Sequence, residues 1–253
     1  MKAILTSWMG GAEKVGDARI PGPLSNANNC LDTIRAFWPE KEYAGLGTGA
    51  SVLMICANPY DHDKNDSMLS CFREALPMSG LPVTSIAMCD DRNPRLVEKV
   101  SQTDVIILMG GHVPSQNEFF ESIALREKLG NFSGLLLAWS AGSMNCADTV
   151  YAGPELPGEA VDPNFKRWLS GLWITSLNIF PHFSTLRDEM IDGLRMIEDV
   201  TFPDSFTHEI LAINDGSYVV IEDGKQTLYG EAYMIRDGKI EKICEDGGSL
   251  ELE

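Results

Sequence analysis

The chain has 253 residues, 44% of them hydrophobic, which is enough to bury a sizeable core; 20 Lys plus Arg against 37 Asp plus Glu give a formal net charge of −17. This composition excludes a disordered chain, and so negative a field repels nucleic acid and anionic membrane surfaces as main partners. No window approaches the roughly 20 apolar residues that a membrane-spanning helix needs.

The opening, Met1 to Gly11, carries one basic residue and an apolar stretch too short for a signal-peptide core. The six cysteines, Cys30, Cys56, Cys71, Cys89, Cys146 and Cys244, form no C-x-x-C pair, and several sit in apolar runs. Buried free thiols, a reducing cytoplasmic compartment and no zinc site are therefore expected. No repeat or linker composition divides the chain, so residues 1–253 are read as one domain.

Apolar runs alternate with helix-like stretches from residue 51 onward. Ser51 to Ala57 reads as a buried strand, broken by Asn58-Pro59-Tyr60, and Asp66 to Leu76 has helical spacing. Val83 to Met88 is a second strand and Pro94 to Val100 a short helix. Val105 to Met109 is a strand running into Gly110-Gly111, and Glu118 to Leu129 forms one amphipathic helix. Gly134 to Trp139 is a further strand, followed at once by Ser140-Ala141-Gly142-Ser143. Past an irregular stretch containing Pro154, Pro157 and Pro163, Leu172 to Phe180 reads as a strand. Turns at Asn214-Asp215-Gly216, Glu222-Asp223-Gly224 and Arg236-Asp237-Gly238 separate Ser217 to Ile221, Thr227 to Tyr229 and Ala232 to Ile235. Almost wholly apolar strands separated by helices imply an α/β fold. Its sheet is mostly parallel, with helices on both faces and C-terminal antiparallel hairpins.

The strand, serine and helix around Ser140 form the most informative segment. A tight strand-to-helix turn strains the serine and requires small neighbours two residues either side, here Ala138 and Gly142. It lifts the hydroxyl at the carboxyl end of the sheet, with the Ala141 N–H available to an oxyanion. The other reading of Ser140 is a helix N-cap. A nucleophilic serine needs a base and a group that orients it. Of four histidines, His182 follows a predicted strand; the alternative for it is a hydrogen-bonded structural histidine. His208 and His62 lie in polar segments, and Asp61-His62-Asp63 has no second histidine or cysteine at ligand spacing to support a metal site. Gly110-Gly111 follow a strand and let backbone N–H groups approach a ligand, with His112 beside them.

Together these segments resemble the peptidase E family of serine peptidases, the aspartyl dipeptidases. That family is related to cyanophycinases and built on the class I glutamine amidotransferase-like fold, with a flavodoxin-like core. The matching pieces are Gly110-Gly111 after a strand, Ala138-Trp139-Ser140-Ala141-Gly142-Ser143-Met144-Asn145, Asn178-Ile179-Phe180-Pro181-His182-Phe183, and Asp215-Gly216-Ser217. The resemblance implies Ser140 as nucleophile, His182 as general base, and Glu155, 15 positions after the serine, as third triad member. Glu155 stands where those dipeptidases carry Asp. It also implies Gly111 and Ala141 as oxyanion donors, and Gly110, His112 and Arg187 as substrate-binding residues. His112 and Val113 stand where the family has a third glycine and an asparagine. Arg187 is the nearest counterpart of the cation that pairs with an aspartyl substrate.

The expected chemistry is hydrolysis of a small peptide through an acyl-enzyme, without cofactor or metal, by a monomer or homodimer. An α/β-hydrolase esterase and an inactive ligand-binding module on the same fold are the alternatives. A glutamine amidotransferase is disfavoured because serine occupies the nucleophile position and Cys146 lies six residues further on.

Overall fold

The structure, a computed structural model, describes residues 1–16, 18–45 and 47–252. In chain order, β1 (Lys2–Thr6) leads into the hairpin of β2 (Gly10–Val15) and β3 (Ala18–Leu24), then α1 (Cys30–Phe37) and β4 (Lys41–Tyr43). Next come β5 (Gly47–Ile55), α2 (His62–Met78), β6 (Val83–Cys89), a 3₁₀ helix (Pro94–Gln102) and β7 (Val105–Leu108). α3 (Val113–Ser122), α4 (Leu125–Leu129), β8 (Leu135–Trp139) and α5 (Ala141–Met144) follow.

β1, β8, β7, β5 and β6 pair side by side in parallel, and their carboxyl ends share one edge. The register aligns Thr6 with Trp139 and Leu108 with Ala138, so everything after these strands opens at the same end. Leu136, Leu137, Ile106 and Ile107 are fully buried, as strands covered on both faces must be. Each such side chain contributes about 1.5–3 kcal/mol by leaving water. β1 is also the seam where the sheet turns antiparallel. It pairs with β15 (Tyr218–Glu222), which continues to β16 (Lys225–Tyr229) and the terminal β19 (Ser249–Leu252).

A second sheet forms from later segments. β9 (Thr149–Tyr151) and β10 (Trp168–Ser170) pair as a small ribbon. β11 (Ile179–Phe180) then runs parallel to β14 (Ile210–Ile213), which pairs antiparallel with β17 (Ala232–Arg236) and through it β18 (Lys239–Cys244). Between β11 and β14 lie α6 (Phe183–Leu186), the two-residue strands β12 (Met190–Ile191) and β13 (Leu194–Arg195), a π turn (Met196–Thr201) and α7 (Phe202–Asp204). This sheet has its own core of Tyr151, Phe180, Phe183, Met196, Ile197, Ile210 and Ile235.

The mixed α/β architecture, the free buried cysteines and most strand positions match the sequence reading. Several elements differ from it. α2 begins four residues earlier than its apolar spacing indicates, because Asp61 caps it by accepting from the Lys64 N–H at 3.2 Å. The helix read over 118–129 is two helices, separated where Ala124 adopts φ 51°. Only Ile179–Phe180 of the strand read over 172–180 is strand, and Trp173 at φ 61° breaks the extended run. The apolar opening, considered above only as a signal-peptide candidate, is a central strand.

At the end of the sheet away from Ser140, Asp104 ties β4 and β5 to the start of β7. Its carboxylate, 1% exposed, accepts from the Ser51 N–H and hydroxyl at 2.8 Å each, and from Lys41 and Tyr43. Burial acts to raise its pKa, but these donors outweigh burial and hold the carboxyl at about 2. A depressed carboxylate stabilises the fold above its unfolded pKa, and that contribution is lost as pH falls toward the folded value. Asp104→Asn is therefore expected to cost about 2 kcal/mol or more at pH 7. In urea unfolding, its deficit against wild type should shrink as pH falls from about 4 toward 2.

Candidate active site

Ser140 sits between β8 and α5 at φ 51° and ψ −122°, a conformation that costs a non-glycine residue about 1–3 kcal/mol. Its surroundings over-determine that geometry. The Ser140 N–H donates to Thr6 O at 3.0 Å, the Ser140 carbonyl accepts from the Met144 N–H at 3.0 Å, and the Ser143 hydroxyl donates to Thr6 O at 2.8 Å. Gly142 abuts β7 so closely that a methyl group there would lie 2.5 Å from Leu108 O. The small residue two positions after the serine is thus a packing requirement.

Ser140 Oγ lies 3.1 Å from His182 Nε2. His182, also in a left-handed conformation at φ 56°, follows β11 and leads into α6. Its Nδ1 lies 2.7 Å from Asp215 Oδ1, and a carboxylate accepts there, so Nδ1 carries the proton and Nε2 is free to accept from the serine. The fold explains this meeting. β11 and β14 are parallel neighbours with Phe180 opposite Ala212, so the residues following each strand emerge together. His182 leaves one and Asp215 the other, in the turn closed by the Ser217 N–H donating to Asn214 O at 2.9 Å.

A third side chain completes the arrangement. The buried Ser7 hydroxyl donates to Asp215 Oδ1 at 2.6 Å and accepts from the His182 backbone N–H at 2.8 Å. Burial acts to raise the Asp215 pKa, but the hydrogen bonds from His182 and Ser7 outweigh it and hold the carboxyl below the usual range.

Glu155 does not occupy the position that the resemblance implies. The imidazole Nδ1 faces Asp215, whereas Glu155 Oε1 accepts from the Val113 N–H at 3.3 Å at the rim of the cleft. Glu155 is exposed to solvent at this rim, and the desolvation that its carboxyl feels among the cleft residues raises its pKa. The physical reason is topological. Glu155 leaves the β9 ribbon toward α3, while the paired ends of β11 and β14 bring Asp215 behind the histidine.

His112 is engaged elsewhere, with Nε2 2.8 Å from Glu159 Oε1 and Nδ1 2.8 Å from Ser115 Oγ. Arg187 is exposed, lies 3.7 Å from Asp188, and lines neither cleft beside Ser140. Gly110 and Gly111 do border the serine. A methyl group on Gly110 would lie 3.0 Å from Ser140 Cβ and 2.6 Å from Trp139 Nε1, and one on Gly111 2.5 Å from Ala57 Cβ. Ala141 is fully buried at the head of α5. His62 pairs with Asp91 at 2.6 Å, and His208 is exposed against Trp168.

Two clefts meet at Ser140 and His182. The larger, about 550 Å³, has an apolar wall including Met144, Phe180, Leu186 and Met190, and carries Glu155, Glu189 and Asp192. The smaller, about 310 Å³, runs past Gly110 and Gly111 between the β2–β3 hairpin and α2. Ser7 and the second cleft were invisible to the sequence reading. Asp215 carries a signal, the Asp-Gly-Ser motif, which by itself indicates only a turn and a family match.

A serine hydroxyl hydrogen-bonded to an imidazole, itself oriented by an ionised carboxylate, can lose its proton as it attacks a carbonyl. Hydrolases use such an arrangement, and here a cleft lies on each side of Ser140. A crystal structure of a peptidase from an acI-B1 Actinobacterium is similar over 99% of this chain and 96% of its own, at 14% identity and a TM-score of 0.64. A putative peptidase E protein from Listeria monocytogenes EGD-e matches over 96% and 97%, at 12% identity and a TM-score of 0.49. No curated protein sequence gives a significant match. The family model described as peptidase family S51 matches residues 46–229. The chain belongs to peptidase family S51.

Strain at Ser140 gives a sign reversal to measure. Glycine is ordinarily less favourable than alanine because it loses more backbone freedom on folding. At φ 51° and ψ −122° the order should invert, with Ser140→Gly more stable than Ser140→Ala by about 1 kcal/mol in thermal or urea unfolding.

Proposed function

We propose that this peptidase is a serine enzyme that hydrolyses short peptides through Ser140, His182 and Asp215. The observation that carries the reading is the continuous path Ser140 Oγ to His182 Nε2 and His182 Nδ1 to Asp215, at 3.1 and 2.7 Å. His182 takes the serine proton as Ser140 attacks the peptide carbonyl, then gives it to the leaving amine. Asp215 fixes the tautomer and stabilises the imidazolium. The oxyanion is held by backbone N–H groups of Gly111 and Ala141, each worth about 10²–10³ in kcat. A water deprotonated by His182 then releases the acyl group. Neither cofactor nor metal enters any step of this reading. Six buried free thiols support a reducing, cytoplasmic setting.

Within this reading Ser7 is a positioning residue, holding the carboxylate and the histidine backbone with one hydroxyl. Glu155 belongs to the cleft wall. The acidic residues of the larger cleft and the outward position of Arg187 favour a neutral or basic residue there over an aspartyl one. Set against the esterase alternative are the family match and the alanine at position 138, where an α/β-hydrolase elbow has glycine.

The test is a dipeptide library, including α- and β-aspartyl peptides, assayed with purified variants. Ser140→Ala should lose activity, and Asp215→Asn should lower kcat by about 10²–10⁴ with little change in KM. Glu155→Gln should stay within tenfold of wild type in kcat. The assignment of the carboxylate fails if Glu155→Gln is the crippled variant and Asp215→Asn is not. The peptidase reading fails if Ser140→Ala retains full activity.

A further inference from the structure

The smaller cleft is cationic although the chain carries 37 acidic residues against 20 basic ones. Lys14, Arg19 and Lys64 line it together with Ser140, His182, Gly110 and Gly111, and no carboxylate among the described residues does. None of the three makes an ion pair within 4 Å among the described residues, in a molecule where carboxylates are abundant. Their positions are also unfavourable without a ligand. Lys14 and Arg19 are directly opposed across the β2–β3 hairpin, where like charges repel. Lys64 lies in the first turn of the 17-residue α2, the end at which the helix dipole favours anions. Its ammonium is beside the turn after β7, with Nζ 3.8 Å from where a methyl group on Gly111 would be.

The larger cleft has the opposite polarity, with Glu155, Glu189 and Asp192 and, among the described residues, no lysine or arginine on its wall. A short peptide with free ends has the same polarity, an ammonium on the acyl side of its scissile bond and a carboxylate on the leaving side. We propose that Lys14, Arg19 and Lys64 form a receptor for the free C-terminal carboxylate of the substrate. The peptide then lies with its amino end in the larger cleft and its scissile carbonyl at Ser140. The cleft confines the leaving group to one or two residues and makes the enzyme a peptidase of short, unblocked peptides. This assignment rests on the serine peptidase reading above.

The experiment compares the best substrate of the dipeptide library as free acid and as C-terminal amide, and measures binding of Leu-Ala and Leu-Ala amide to Ser140→Ala by calorimetry. Wild type should prefer the free acid by about 10–100-fold in kcat/KM, the range of one or two charge-assisted contacts. Lys64→Gln and the double variant Lys14→Gln/Arg19→Gln should each remove much of that preference, chiefly through KM. Ser140→Ala should bind the acid more tightly than the amide, and less so at high salt. Equal turnover of acid and amide by wild type, or an undiminished preference after all three cations are replaced, would overturn the receptor and leave the peptidase standing. If wild type cleaves neither form but Ser140→Ala still selects the acid, the peptidase reading fails and the receptor stands. If Ser140→Ala shows no selection for the acid, the receptor is wrong.

Discussion

The Ser7 hydroxyl is the point on which the arrangement turns. It stands at the end of β1, in the first sheet, and bonds at once to the His182 backbone and the Asp215 carboxylate, which leave neighbouring strands of the second. Ser140 belongs to the first sheet and its partners to the second, so the 3.1 Å contact between Ser140 and His182 exists only while the two sheets stay in register. One buried side chain with a donor and an acceptor both satisfied serves that purpose. An apolar residue there would leave the carboxylate and the amide short of a partner.

Backbone strain is concentrated at the proposed site. Ser140 and His182 both have positive φ, and both are held by backbone bonds and close packing supplied by their neighbours. The parallel core bears the cost, since β7 and β8 are buried along their whole length and the carboxyl ends of β1, β7 and β8 are fixed by pairing. Asp104, at the opposite end of the sheet, adds a buried carboxylate whose donors come from β4 and β5. The buried carboxylate and the proposed site thus lie at opposite ends of the strands.

Much of this was legible from residues alone. Apolar runs located the parallel strands, and the small residues around Ser140 disclosed the turn, because both follow from local rules of burial and backbone sterics. His182 was found through its place after a strand and the motif around it. The third partner was not, because what brings Asp215 to His182 is the parallel pairing of β11 with β14, across 33 positions of sequence. Ser7 carried no local signal, and β1 itself went unread because five residues of strand resemble any short apolar stretch. The cationic cleft was hidden for the same reason. Its residues come from a hairpin and a helix turn some fifty positions apart, and only the fold collects them beside Ser140.

The charge of −17 therefore conceals two clefts of opposite polarity that meet at Ser140. That Ser140 is the nucleophile is the central claim, and its most direct measurement is covalent trapping. Protein treated with a fluorophosphonate and digested for mass spectrometry should carry one adduct, on the peptide containing Ser140, and Ser140→Ala or unfolded protein should carry none. Labelling at another residue, or no labelling of the folded protein, would contradict the account.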